Sequence, residues 1–308
     1  MTTALLTHPD CLNHLTPEGH PERVARLEAL LPRLEGKDLL RIRAPLAADD
    51  DLLLAHPQDH LDAIKAAEPE RGIRQLDPDT WMSPGSLQAA LRAAGGAVRA
   101  VDMVLSGEAD NAFVACRPPG HHAETRAPMG FCLFGTVAIA AKHALERHGL
   151  ERVAIVDFDV HHGNGTQDLV QSDGRILFVS THQMPLYPGT GAPSETGPAG
   201  TVLNIALDEG TTGELYRRIL TDTILPRLRA FRPELLILSA GFDAHANDPL
   251  AGLSLETADF AFVTEELCRV AAEVCEGRVV SCLEGGYDLD ALAESGEAHV
   301  DALIAAAR

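Results

Sequence analysis

The sequence has no surplus of positive charge: 45 aspartates and glutamates stand against 25 lysines and arginines, a formal net charge of −20. A phosphate backbone is recognised by a basic footprint, so nucleic acid is excluded as a partner. A negative surface suits cationic substrates, yet it is also a common route to solubility, so charge alone selects no function. Long hydrophobic runs are absent too. Stretches such as LLIL (235–238) fall far short of the roughly 18 apolar residues that a membrane span needs. The first ten residues, MTTALLTHPD, carry neither the basic n-region nor the apolar h-segment of a secretory signal. None of the six cysteines (Cys11, Cys116, Cys132, Cys268, Cys275 and Cys282) forms a C-x-x-C pair, and several lie inside apolar stretches, as reduced core thiols do. These absences together predict a soluble, cytoplasmic protein with no membrane partner. Linker-like tracts, internal repeats and low-complexity segments are also missing. The 308 residues, 45% of them apolar, are therefore expected to fold as one domain spanning 1–308.

What is present is an alternation. Short apolar runs recur at NAFVAC (111–116), RVAIVDFDV (152–160), RILFVST (175–181), TVLNIAL (201–207), LLILSAGF (235–242) and RVVSCLEGG (278–286). Runs without polar alternation suit strands buried on both faces, as in a parallel sheet. Helix-period segments lie between most of them, at 85–105, 135–148, 213–230 and 256–275. The expectation is an α/β fold with crossover connections.

The polar residues then fall into order. RPPGHH (117–122) follows one expected strand, DFDVHHGNG (157–165) ends another, Asp243 follows LLILSAGF, and Glu284-Gly-Gly-Tyr287 follows VVSCL. Ligands of open α/β sheets bind off the carboxyl ends of the strands, so four such clusters at four strand ends predict a site. Asp159 and His161 are two residues apart where a strand runs out, and their side chains can point the same way. Taken alone, D-x-H reads equally well as a capped turn. With Asp243 it supplies three protein ligands and leaves a fourth position open, the pattern of a catalytic zinc site. Such a metal lowers the pKa of bound water and polarises a carbonyl, which suits amide hydrolysis. His121 and His122, behind two prolines and a glycine, can move the protons, with Asp157 and Asn164 as candidates to set their tautomers. Tyr287 can donate to an oxyanion opposite the metal, an effect worth about 3 kcal/mol of barrier.

RPPGHHAE (117–124), GFC (130–132), DFDVHHGNGTQ (157–167), PGTG (188–191), SAGFDAH (239–245) and EGGYDL (284–289) together resemble the zinc-dependent histone deacetylase family, in its class II and bacterial histone deacetylase-like amidohydrolase branch. The likeness runs from HPERVARL (20–27) to EGGY, nearly the whole chain. It implies an arginase-like fold with one open, mainly parallel, eight-stranded sheet flanked by helices. It implies one zinc ion per chain (iron being the alternative metal) on Asp159, His161 and Asp243, with His122 as general base and acid. His121, oriented by Asp157, would add electrostatic help, and Tyr287 would polarise the acyl carbonyl. Phe131 and Tyr187 would wall a narrow acyl-lysine tunnel over Gly130, and Asp79 would sit at its rim. Arg26 matches an arginine near the internal pocket. A structural potassium ion is implied near Asp157, Asp159 and His161, with Ser180 nearby. Asn164 stands where class I enzymes carry aspartate. Tyr187 stands where phenylalanine is usual. Leu250 stands where the polyamine-selective branch carries glutamate.

The expected function is removal of acetyl or other short acyl groups from acyl-lysine in proteins or peptides. The alternative is an acetylpolyamine amidohydrolase. A dinuclear manganese ureohydrolase would need a further bridging carboxylate where Asn164 stands. A non-catalytic binding module leaves the full set of catalytic residue types without a purpose.

Overall fold

The runs NAFV, VAIVD, ILFVSTHQ, LLILSA and VVSCL are buried at every position. A strand with no exposed face must be covered on both sides, and the chain supplies that cover by placing helices between strands. The computed structural model describes residues 2–307. Its strands are β1 (Thr3–Thr7), β2 (Leu40–Arg43), β3 (Arg74–Gln75), β4 (Trp81–Met82), β5 (Asn111–Val114), β6 (Val153–Asp157), β7 (Ile176–Gln183), β8 (Val202–Leu207), β9 (Leu235–Ala240) and β10 (Val279–Leu283). Eight of them form one sheet in the order β2-β1-β5-β10-β9-β6-β7-β8, and every pairing in it is parallel. The remaining two, β3 and β4, make a small antiparallel hairpin.

Two groups of helices flank the sheet. Ala25–Arg33, Leu289–Ala306 and Thr257–Val274 pack successively on one another, while Ser86–Ser106 packs on Thr136–His148. The segment 213–230 is one helical run interrupted by a π turn at Leu220–Ile224. Among the described residues no helix is long and apolar enough to cross a membrane. All six cysteines are free and buried.

The topology puts β5, β10, β9 and β6 side by side at the centre of the sheet. These are the four strands whose carboxyl ends carry the polar clusters, so segments 45 to 164 residues apart in the chain converge on one spot.

His299 pins this core. Its two ring nitrogens hydrogen-bond the hydroxyls of Thr264 (2.7 Å) and Ser281 (2.8 Å), tying Leu289–Ala306 to the neighbouring helix and to β10. Complete burial pushes its pKa down to about 3. The ring is therefore neutral in the folded chain, whereas the unfolded chain takes up a proton below the ordinary value of 6.5. Its share of stability is whole above pH 6.5 and is lost as the pH falls, at about 1.4 kcal/mol per unit. Denaturant titrations of the wild type and of His299→Leu should therefore converge on acidification. Their difference in unfolding free energy should shrink by about 2 kcal/mol between pH 6.5 and pH 5.

Candidate active site

The chain beyond β6 carries Asp159 and His161, and the chain beyond β9 carries Asp243; all three are buried. The Nδ1 atom of His161 lies 3.1 Å from Asp159 Oδ1 and 3.2 Å from Asp243 Oδ2. One ligand atom from each residue falls within 4.8 Å of the others, so the trio forms a candidate metal centre. The carboxylates are held from behind by backbone amides. Gly285 N–H donates to Asp159 Oδ2 (2.8 Å), and Val160 N–H donates to Asp243 Oδ1 (2.9 Å). A side chain at position 285 would intrude on this geometry, since a Cβ there would stand 2.1 Å from Asp243 Oδ2. The trio also calls for positive charge. Burial disfavours a charged His161, yet its bonds to Asp159 and Asp243 and their charges raise its pKa to about 10. Two carboxylates and an imidazole nitrogen facing one point are the donor set of a hydrolytic divalent-metal site.

The histidine pair sits on the loop after β5. Gly120 N–H (2.7 Å) and His121 N–H (3.2 Å) both donate to Glu284 Oε2, while Ser239 Oγ donates to its other oxygen at 2.9 Å. Glu284 on β10's extension thus anchors the loop that carries both histidines. His121 Nδ1 stands 3.0 Å from Asp157 Oδ2, and His122 Nδ1 stands 2.7 Å from Asn164 Oδ1. The two rings are in close contact, with centroids 3.9 Å apart. Their environments drive them apart in charge. For His121, burial works against the proton, but the carboxylates of Asp159 and Asp157 outweigh it and raise the pKa well above the ordinary value. For His122, burial and then the charges of His121 and His161 push it well below. The two environments thus favour the protonated form of His121 and the neutral form of His122.

A cavity of about 180 Å³ opens beside the trio, lined by His122, His161, Gly130, Phe131, Leu186, Tyr187, Leu250, Tyr287 and Asp79. Gly130 lies flat against the His122 ring, where a Cβ would come within 2.3 Å of Cδ2. Phe131 and Tyr287 meet edge to face at 5.8 Å. Burial pushes the Tyr287 phenol pKa well up, so its hydroxyl remains a donor at neutral pH. Tyr187 is pushed up as well, by burial and by the nearby charge of Asp79.

Asp79 sits in the turn of the β3–β4 hairpin, lines the cavity and accepts from Gly130 N–H (3.1 Å) and Thr80 Oγ1 (2.9 Å), so it holds the backbone of the cavity wall. Arg26 is not among the lining residues. Its guanidinium lies 5.0 Å from the Tyr287 ring centroid, donates to the carbonyls of Gly286 (2.7 Å) and Glu284, and pairs with Glu22. Ser180 pairs in register with Asp157 across β7 and β6, beside the residues named for potassium.

Three contributors escape a reading of the sequence. Leu186 completes the tunnel wall. His20 packs on Phe131 at 4.7 Å and contacts the Asp79 carbonyl at 3.0 Å. Asp248 accepts from Leu250 N–H (3.0 Å) with one oxygen and from Tyr287 N–H (2.7 Å) with the other. Only the carboxylate of Asp248 beside D-P-L (248–250) hinted at such a brace, and its partner lies 39 residues away.

Comparison with known proteins points one way. Residues 20–303 match the family model described as "Histone deacetylase domain". A "Probable deacetylase" of Archaeoglobus fulgidus is 39% identical over 299 residues, covering 94% of this chain and 82% of that protein. A "Histone deacetylase-like amidohydrolase" of Pseudomonas aeruginosa is 41% identical over 277 residues, covering 87% of this chain and 73% of that protein. "Histone deacetylase 14, chloroplastic" of Arabidopsis thaliana is 39% identical, covering 90% of this chain and 71% of that protein. The crystal structure titled "Crystal Structure of HDA15 HD domain" superposes with a TM-score of 0.94 at 33% identity, covering 99% of this chain and 89% of that one.

The crowding at Gly285 yields a direct test. Gly285→Ala should keep the fold, judged by circular dichroism, and weaken retention of a divalent metal by about tenfold or more, measured by elemental analysis after dialysis.

Proposed function

The chain belongs to the histone deacetylase family, and on that premise we propose that it is a zinc-dependent amidohydrolase that removes acetyl or other short acyl groups from lysine side chains. The observation that carries this is the union of the Asp159–His161–Asp243 trio with a narrow, largely apolar cavity on whose wall His122 and Tyr287 both lie. The trio would hold one zinc ion, which when bound activates water and polarises the acyl carbonyl.

The protein groups then have distinct tasks. His122 is neutral and fixed through Nδ1 on Asn164, so its other nitrogen can take the proton from water and return it to the departing amine. His121, charged against Asp157, faces the same centre and offsets negative charge as it develops. Tyr287 donates its hydroxyl hydrogen to the acyl oxygen. Arg26, behind the Tyr287 ring and bonded to the carbonyls that precede it, positions that tyrosine. Phe131, Tyr187, Leu186 and Leu250 strip water from an aliphatic arm, while Gly130 leaves room beside His122. A structural potassium ion near Asp157, Asp159, His161 and Ser180 is part of the same reading, as is a reducing, cytoplasmic setting that suits six free cysteines.

Leu250 on the cavity wall favours a lysine arm over a polyamine, because an apolar wall gives a second ammonium nothing to pair with. The acidic surface favours the polyamine alternative. An acetyl-lysine peptide should accordingly be hydrolysed with a higher kcat/KM than acetylputrescine or acetylspermidine by zinc-loaded protein. The reverse order would assign the site to polyamines. Chelation should abolish turnover and zinc should restore it.

Substitutions separate the roles. Tyr287→Phe should lower kcat by roughly 10²–10³ with little change in KM. His122→Ala should remove turnover while the protein keeps its zinc, and loss of the metal instead would make His122 a ligand rather than the base.

A further inference from the structure

Two helices that pack on each other carry a second group of ligand-type side chains. Asp102 lies in Ser86–Ser106, and His143 and His148 lie in Thr136–His148. The Nε2 atoms of both histidines converge on one oxygen, Asp102 Oδ1, at 2.8 and 2.7 Å. The three ligand atoms lie within 4.8 Å of one another, as in the active-site trio. Behind His143 stands Asp51, its Oδ1 3.6 Å from the ring's Nδ1. That Nδ1 is buried and has no hydrogen-bond partner.

We infer that Asp102, His143 and His148 form a second zinc-type metal site, separate from the active site, with Asp51 orienting His143. The argument is one of proton placement. In a hydrogen-bonded pin between neutral histidines each ring donates from Nε2, and the bare Nδ1 lone pair of His143 faces a carboxylate, a mismatch that only a second proton or a metal relieves; the count of zinc ions per chain separates the two. With a metal on Nε2 the proton moves to Nδ1, where Asp51 can accept it. This is the carboxylate–histidine–metal arrangement that fixes the ligating tautomer. The ligand set of two imidazoles and one carboxylate suits a borderline divalent ion such as Zn²⁺, with water in the remaining position.

Space is no obstacle. A tetrahedral ion separates its ligand atoms by roughly 3.3 Å, so each nitrogen must draw back by about half an ångström from Asp102. His148 is the last residue of its helix and its side chain is 30% exposed; that of Asp102 is 36% exposed. Both can yield without disturbing the core. Asp102 forms its ion pairs with these two histidines, so the ion would replace no lysine or arginine. Occupancy would tie the end of one helix to its neighbour.

Equilibrium dialysis against excess Zn²⁺, with the metal counted per chain, tests this. The wild type should hold two zinc ions, while His148→Ala and Asp102→Asn should each hold one and hydrolyse substrate at the wild-type rate. Zinc beyond the first equivalent should raise the melting temperature of the wild type and leave that of His148→Ala unmoved. A single ion in the wild type, or a second ion that persists in His148→Ala, overturns the proposal. Because His148 lies at a helix end, the variant should fold, and circular dichroism verifies it.

Discussion

Four carboxylates, Asp157, Asp159, Asp243 and Glu284, lie at 0 to 1% exposure around one point, and the rest of the site is built to hold them there. Burying one unpaired carboxylate costs several kcal/mol, and each of these also feels its neighbours' charge. Burial raises the pKa of Asp157 to about 7 and pushes Asp243 and Glu284 up as well. The protein offsets this with every donor within reach. Asp157 takes His121 and one backbone amide, Glu284 takes two backbone amides and a serine hydroxyl, Asp159 takes His161 and two amides, and Asp243 takes His161 and one amide. A concentration of negative charge this deep is the environment in which a divalent cation is held tightly, and in which a neighbouring imidazole can be tuned in either direction.

That tuning accounts for the functional asymmetry of adjacent residues. His121 and His122 share a loop, deep burial and nearly a position, yet one faces an acid and the other an amide. The amide of Asn164 accepts a hydrogen bond from His122 without supplying the full negative charge that would favour its protonation. Two copies of one side chain are thereby pushed in opposite directions, one toward the protonated ring and one toward the neutral ring.

Much of this was legible in the sequence, for reasons that are physical. Strands buried on both faces announce themselves as unbroken apolar runs, and the polar residues that follow them stand out by contrast, as at VAIVD followed by Phe158-Asp159. The elements that were not legible lack that contrast. At the edge of the sheet β2 is half exposed, with the arginines of LRIR facing water, so its pattern resembles a surface segment. Leu289–Ala306 interrupts its apolar stripe with Ser295, Gly296 and His299, all buried. A Cβ at Gly296 would meet the tip of the Leu30 side chain at 2.6 Å, and His299 is satisfied by two hydroxyls from other elements. Those reasons live in tertiary contacts and leave no periodic trace. The same holds for Asp79: a rim position in the chain's motif order, it also carries the Gly130 amide, which only the hairpin's placement reveals.

The carboxylate of Asp248 has a consequence for how such a protein could change over time. One of its oxygens carries the amide of Leu250 and the other the amide of Tyr287. The cavity-wall residue Leu250 and the proposed carbonyl donor Tyr287 hang from a single support. A lineage or an engineer that reshapes the wall at 250 also tugs on the backbone that carries Tyr287, so under the proposed function selectivity and turnover would not drift independently.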